Sequence, residues 1–252
     1  MVNQKPIEIS RTVAKLPVKQ VIAEGLRYNP VDFCFFVSSI YKGIINNVNK
    51  RNKILWQCKN NNFGSIAGLK IDRKKNLLWG TFEHQPQSQN FLDSLNGSSG
   101  IFCYNFLTKE LLLKIEVDKD SPEHHWFGDI SLDSNRNVYA TDSYTDKIYK
   151  FSAPDFKPQI FLSDYNFFSL QGLTFTNDDK FIIFADFPSR LYLYNNKTKE
   201  VNEIENLTNH TLPGIDGIYF YKNNKIIAVQ NGIYPRRIVE ITLDNDYTEA
   251  IK

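Results

Sequence analysis

Residues 171–185 read QGLTFTNDDKFIIFA: an apolar segment, a polar turn and a second, more strongly apolar segment. Asn and Asp suit the tip of such a turn because they tolerate left-handed backbone and bond their own main chain. The stretch therefore predicts an antiparallel β-hairpin that opens on a short cassette, in which one residue is followed by Gly and then by an aliphatic residue.

The same cassette occurs five times along the chain. The third copy carries Asp where the others carry Gly, and successive copies are 43 to 45 residues apart except between the second and the third, where the polar insertion 83–99 lengthens the spacing. The copies are Glu24-Gly25-Leu26, Ala67-Gly68-Leu69, Gly128-Asp129-Ile130, Gln171-Gly172-Leu173 and Asp216-Gly217-Ile218. A fixed period of this length indicates a repeat architecture.

Each repeat contains two further strand-like segments after its hairpin. The third segment is clearest in KIYKF, RLYLYN and RRIVEITL, and a fourth follows NNKTKE or DNDYTE. Units of four antiparallel strands at this period match an all-β fold, the β-propeller, in which each sheet packs against its neighbours. The 19 Phe and 13 Tyr are typical of the flat, packed faces of such sheets.

The repeats predict a single β-propeller domain over residues 1–252, with blades that start near residues 24, 67, 128, 171 and 216. The fifth repeat runs to the last residues of the sequence, and three explanations stay open. The fold has five blades, a sixth blade is missing from this chain, or the segment Ile7–Ala23 completes a blade; we favour the missing sixth blade.

Composition excludes several classes of protein. A hydrophobic fraction of 42% with 23% charged residues describes an ordinary globular chain. The 30 Lys and Arg are balanced by 28 Asp and Glu, so nucleic acid is not an expected partner. The three Cys show no C-x-x-C spacing and are interpreted as buried thiols. With no recognisable signal peptide or membrane-length apolar run, a cytoplasmic location without membrane association is expected.

The cassettes resemble the senescence-marker/gluconolactonase family, which includes regucalcin, gluconolactonases and luciferin-regenerating enzyme. The segments that carry the resemblance are AEGLRYNP (23–30), GSIAGLKID (64–72), FGDISLDSNRNVYATDS (127–143), LQGLTFTNDDK (170–180) and GIDGIYFY (214–221). The resemblance implies a six-bladed propeller and a metal-dependent hydrolase of a lactone or small ester.

The resemblance also implies a divalent metal, most often calcium with magnesium or manganese as alternatives, at the first cassette residues. Glu24 and Asp216 match the family pattern, and Gln171 stands where the family has Asn. Carboxylate and amide oxygens are ligands that calcium accepts. At the third cassette the family's Asn-Asp reads Gly128-Asp129, so one expected amide is absent while Asp129 is expected to orient substrate.

Two residues are expected to act in catalysis, Asp216 and His125, because either could help to activate water. The loops that follow the second strands are expected on the same face of the fold, and they contribute substrate-contact candidates. These candidates are Asp142, Asp186, Asn231 and Arg236. For Asp142 and Asp186 a turn-forming contact with the main chain is the alternative explanation.

Two functions follow from these patterns. The first is a metal-dependent lactone or ester hydrolase that acts on a small molecule. The second is a non-catalytic propeller that binds a small ligand or a protein at its rim, including the insertion 83–99, and the Gly at position 128 favours this alternative. A condensation like that of strictosidine synthase is a more distant third.

Overall fold

The structure is a computed structural model that describes residues 11–58, 62–117, 123–163 and 165–252. Within these ranges the chain forms β-strands and one short 3-10 helix, η1, at Asp93–Leu95. The strands follow one another as antiparallel meanders, as the repeated hairpins predict. The all-β prediction is confirmed.

The first two sheets each contain four strands that are hydrogen-bonded in chain order. The strands of the first sheet are β1 (Ala23–Asn29), β2 (Cys34–Ser39), β3 (Ile44–Asn49) and β4 (Ile54–Cys58). The strands of the second are β5 (Ser65–Asp72), β6 (Leu77–Glu83), β7 (Ser99–Asn105) and β8 (Leu111–Glu116). The polar insertion and η1 lie between β6 and β7.

The third and fourth sheets have the same four-stranded order. The third comprises β9 (Phe127–Leu132), β10 (Val138–Asp142), β11 (Lys147–Phe151) and β12 (Pro158–Leu162). The fourth comprises β13 (Leu170–Phe175), β14 (Phe181–Asp186), β15 (Arg190–Asn195) and β16 (Val201–Glu203).

The fifth sheet is built from three long strands and the end of the chain. The long strands are β18 (Ile215–Phe220), β19 (Lys225–Gln230) and β20 (Arg237–Thr242). The short strand β21 (Glu249–Ala250) pairs in parallel with β17 (Glu205–Asn206). After β21, the Ile251 N–H donates to the Thr242 carbonyl, which places the chain end beside β20. The described residues therefore form five blades. Residues 11–22 contain no strand, and residues 7–10 of the Ile7–Ala23 segment lie outside the described residues.

The chain divides into two compact units. Among the described residues, the N-terminal unit lies within 11–130 and 151–158, and the C-terminal unit lies within 131–150 and 159–252. Each unit has its own aromatic and aliphatic core. Phe36, Phe63 and Phe102 are buried in the N-terminal unit. Ile183, Leu193 and Ile226 are buried in the C-terminal unit.

The hairpin tips explain why so few glycines serve this fold. Asn76, Asp179 and Asn224 adopt positive φ angles at the tips of three hairpins, which Asn and Asp tolerate better than most residues.

The cassette glycines have a different role. A Cβ atom on Gly25 would lie 2.5 Å from the Ala67 carbonyl oxygen, so this position needs Gly for the close approach of β1 and β5.

All three cysteines are buried free thiols, as expected. No helix in the described part of the chain is long and apolar enough to cross a membrane.

Candidate functional site

Asp216 and Asn231 form a close polar pair in the C-terminal unit. Asp216 is the second residue of β18, at an irregularity in the pairing of β18 with β19, and Asn231 follows the last residue of β19. The Asn231 side-chain amide donates a hydrogen bond of 2.6 Å to Asp216 Oδ2. The cassette residue and the loop that follows the second strand therefore meet at this irregularity.

The environment of Asp216 favours its protonated form. Asp216 is half-buried, and this loss of water raises the pKa of its carboxyl group, while the hydrogen bond from Asn231 opposes the shift. A carboxyl group with a raised pKa exchanges a proton closer to neutral pH than an ordinary aspartate does.

Gln171 occupies the corresponding position on the neighbouring strand β13. Its side-chain amide nitrogen donates to Ser169 Oγ at 3.2 Å, and its backbone carbonyl accepts from Thr141 Oγ1 at 2.7 Å. The two strands approach closely, because a Cβ atom on Gly172 would lie 2.5 Å from the Asp216 carbonyl oxygen. Gln171 and Asp216 are thus the first cassette residues of adjacent strands.

The chemistry of these two side chains fits a hard cation. The amide nitrogen of Gln171 is engaged by Ser169, which leaves the amide oxygen as the atom that could bind a metal, and Asp216 supplies a carboxylate. Glu24, the third expected ligand, is exposed on β1 of the N-terminal unit. Across the described residues, no group of three Asp, Glu, His or Cys side chains is arranged to hold a metal ion.

Asp129 and His125 lie in the N-terminal unit. Asp129 Oδ1 is 3.4 Å from Arg27 Nη2 and accepts the Ile130 backbone N–H at 2.8 Å. The His125 side chain is buried, and its backbone N–H donates to the Gly97 carbonyl at 2.8 Å. This main-chain hydrogen bond links the segment before β9 to the insertion. The expected role of His125 as a base stays a prediction.

Asp142 and Asp186 organise the loops in which they lie. Asp186 Oδ1 accepts the backbone N–H groups of Phe168 and Ser169, at 3.1 and 2.7 Å, and Oδ2 accepts the Ser189 hydroxyl. Asp142 accepts the Tyr144 N–H and the Thr145 hydroxyl in the same manner. These are the main-chain contacts that the alternative explanation anticipates, and the expected substrate contacts stay a prediction.

Two arginines follow β19 in the C-terminal unit. Arg236 is exposed, whereas Arg237 Nε donates to Gln230 Oε1 at 2.7 Å. The Gln230 amide nitrogen in turn donates to the Thr211 and Pro213 carbonyls. Arg237 is thus fixed by the sheet, and Arg236 is the arginine of this pair that faces solvent.

The sequence patterns did not indicate two cationic residues, Arg27 on β1 and Lys70 on β5. Both directly follow a cassette, in GLR and GLK, but the same position holds Ser131, Thr174 and Tyr219 in the other repeats. The position therefore shows no shared chemistry. The only available signal was a basic residue at the same place in two consecutive repeats.

Comparison with solved structures identifies the fold. A protein of unknown function from Bacteroides caccae has a TM-score of 0.68 at 12% identity, over 93% of this chain and 81% of that chain. A luciferin-regenerating enzyme has a TM-score of 0.65 at 14% identity, over 91% and 74% of the two chains. The fold is a β-propeller. A virginiamycin B lyase from Staphylococcus aureus, a variant described as catalytically inactive, is similar with a TM-score of 0.61 at 15% identity, over 92% and 74%.

These propellers include enzymes, but identities this low establish the fold and not the activity. A scan against protein-family models gives no match, and neither does a search of curated protein sequences. The resemblance to the senescence-marker/gluconolactonase family therefore receives support at the level of the propeller.

Proposed function

We propose that this propeller hydrolyses a lactone or small ester and that Asp216 is its acid–base group. The observation that carries the proposal is the half-buried Asp216 carboxyl group, whose pKa is raised by burial and which is held by the Asn231 amide at 2.6 Å. A carboxyl group in this state can accept a proton at one step and return it at the next.

In the proposed reaction, the Asp216 carboxylate accepts a proton from water as the water oxygen attacks the carbonyl carbon of the substrate. The C–O bond of the ester or lactone then breaks, and Asp216 returns the proton to the departing alkoxide oxygen. Asn231 keeps the carboxylate in one orientation through both steps. The exposed Arg236 lies five residues after Asn231 and suits a substrate that bears a negative charge.

Gln171 and Asp216 are the residues of the C-terminal unit that would hold the expected calcium ion. When bound, such a cation would polarise the substrate carbonyl and acidify a bound water. Glu24 as a further ligand stays a prediction from the resemblance.

The experiment is a hydrolysis assay of the full chain against a panel of δ-lactones, γ-lactones and aryl esters, with chelator and with added calcium, magnesium or manganese. We expect turnover of at least one substrate and a loss of about 100-fold or more in kcat/KM for Asp216→Asn, because a positioned acid–base group contributes on the order of 10²–10⁴-fold. Asp246→Asn, an exposed aspartate on the same unit, is the matched control and should leave turnover unchanged.

Full activity in Asp216→Asn would contradict the proposal. Absence of turnover on the whole panel under every metal condition would favour the non-catalytic binding propeller instead.

A further inference from the structure

One face of the fifth sheet packs against the fourth sheet within the C-terminal unit. Ile218, Phe220 and Ile226 are buried in the core that the two sheets share. The Phe220 N–H also donates to Thr174 Oγ1 on β13 at 3.2 Å. Side chains alternate between the two faces of a strand, so the residues in between point away from the fourth sheet. These residues, which we call the outer face, are Tyr219, Ile227, Val229 and Ile238.

The outer face is apolar and open to solvent. Ile238 is 73% exposed and Tyr219 is 54% exposed, and Val229, which lies directly opposite Ile238, is exposed as well. Single apolar residues are ordinary on a protein surface, but these three lie on the adjacent strands β18, β19 and β20 and form one patch.

The strand pairing shows which buried surface the outer face is equivalent to. The registers align Ile227, Val229 and Ile238 with Ile183, Ala185 and Leu191 of the fourth sheet. Those three residues of the fourth sheet are fully buried in the core shared with the fifth. A Cβ atom on Gly172 would lie 2.5 Å from the Asp216 carbonyl oxygen, whereas one on Gly217 would meet no described heavy atom within 4 Å. The outer face thus has the residues of a sheet-to-sheet contact and is left exposed.

The N-terminal unit exposes a second apolar surface, on the first sheet. The aliphatic cassette residue is buried in the four later repeats, as Leu69, Ile130, Leu173 and Ile218, but Leu26 is 56% exposed. Residues that pair directly across two strands share one face of the sheet. The residues that pair with one another on the Leu26 side of β1 and β2, which we call the open face, are Leu26, Tyr28, Phe35 and Val37.

The open face is equivalent to the surface with which the fifth sheet covers the fourth. The registers align Leu26, Tyr28, Phe35 and Val37 with Ile218, Phe220, Ile226 and Ala228, in that order. The four residues of the fifth sheet are all buried. The chain therefore exposes counterparts of both halves of an interface that it already forms between its fourth and fifth sheets.

We propose that the outer face of one copy of this chain binds the open face of a second copy. The contact would repeat the packing of the fifth sheet against the fourth, with the β1 cassette of the second copy against Gly217. Because two different surfaces meet, the copies join head to tail. The association needs no substrate, so its failure and the failure of the proposed hydrolysis are separate results.

The test is sedimentation velocity of the full chain at about 1–300 μM, which spans micromolar dissociation constants. We expect species larger than the 29.3 kDa monomer, in proportions that grow with concentration. Ile238→Asp and Leu26→Asp should each abolish this self-association, because the contact would bury an unpaired charge. Ile160→Asp replaces an exposed isoleucine on β12 and is the matched control, which should associate as the parent does.

A mixture of the two variants tests the head-to-tail arrangement. Ile238→Asp keeps an intact open face and Leu26→Asp keeps an intact outer face, so equal amounts should form a dimer and nothing larger. A two-fold contact between outer faces would instead be lost in Ile238→Asp and kept in Leu26→Asp.

The proposal is overturned if the parent stays monomeric over the whole range, if either variant associates as the parent does, or if the mixture stays monomeric while the parent associates. Circular dichroism checks that each variant is folded. If Ile238→Asp or Leu26→Asp is not, Tyr219→Ser or Leu26→Ser takes its place with the same expected results.

Discussion

Burial of the Asp216 carboxyl group opposes the folding of the C-terminal unit at neutral pH. Its pKa is raised above the ordinary value of 3.8 in the folded chain, so the folded state holds this proton more tightly than the unfolded state does. Binding of this proton stabilises the folded state below about pH 4, and this contribution is lost as the pH rises through the raised pKa of Asp216. Ionisable side chains that destabilise the folded state in this way are common at functional sites.

Asp216→Asn should therefore raise the melting temperature at pH 7, while the gain should disappear toward pH 4. Asn is isosteric with Asp, and its side-chain oxygen can still accept the hydrogen bond from Asn231. The measurement is the Tm of both proteins after chelator treatment, by calorimetry from pH 4 to pH 7. A gain of the same size at every pH would mean that the carboxyl charge is not its source.

Single residues also show which parts of the candidate site can be predicted from the sequence. The cassette marks Asp216 by its position in the repeat, and the loop after the second strand marks Asn231, so both could be predicted separately. Their 2.6 Å contact lies at the irregular pairing between Ile215 and Ile218. The same irregularity recurs at the cassettes of β1, β5 and β13, so the repeat marks the irregularity but not the side-chain contact beside it. The contact of Arg27 with Asp129 was missed because it joins strands that are far apart in the chain.

At the scale of the strand, the cassette glycines differ in what surrounds them. A Cβ atom on Gly172 would lie 2.5 Å from the Asp216 carbonyl oxygen and 2.6 Å from the Ile218 nitrogen. A Cβ atom on Gly217 would meet no described heavy atom within 4 Å. The cassette glycine therefore recurs in the sequence, but the space around it differs from one strand to the next.

This difference gives a matched pair of substitutions. Gly172→Ala should destabilise the chain by about 1–3 kcal/mol, because backbone atoms of β18 have to move to admit the methyl group. Gly217→Ala should be neutral or stabilising by up to about 1 kcal/mol, since it restricts the unfolded chain without a clash. Urea denaturation of both variants checks this, and equal destabilisation would contradict the packing described for β13 and β18.

The hairpins were the most predictable elements of the chain. KIYKF coincides with β11 and RLYLYN with β15. Apolar residues that alternate with polar ones between two polar turns favour a β-strand over a helix. The short strands β16 and β21 were predicted only as trailing segments. Their two or three residues carry too little pattern to be predicted as strands. In addition, β21 pairs with β17, a strand from the preceding part of the chain, whereas β16 pairs with its neighbour β15.

At the scale of the whole chain, the repeat predicts the β-propeller fold that the comparisons with solved structures show. Function is less predictable than fold, because the propeller supports many activities and each depends on a few side chains. The insertion 83–99 illustrates this limit. Its composition indicates only a polar loop, while in the structure its residue Gly97 accepts a hydrogen bond from His125.

The expected calcium site can be tested on the whole chain. After chelator treatment, a calcium titration should raise the Tm in a saturable manner, because a ligand at about 100 times its dissociation constant stabilises the folded state by about 2.7 kcal/mol. Asp216→Asn and Gln171→Leu should each reduce this shift. A shift that both variants retain in full would place the cation away from Asp216.

The central claim is that Asp216 exchanges the proton during hydrolysis, and the pH dependence of kcat/KM tests it most directly. For the parent protein we predict a limb that rises with pH and is centred above the ordinary Asp value of 3.8. In Asn231→Ala the limb should move to higher pH, because the hydrogen bond that lowers the Asp216 pKa is lost. A limb that stays in place in Asn231→Ala, or that persists in Asp216→Asn, would contradict the account.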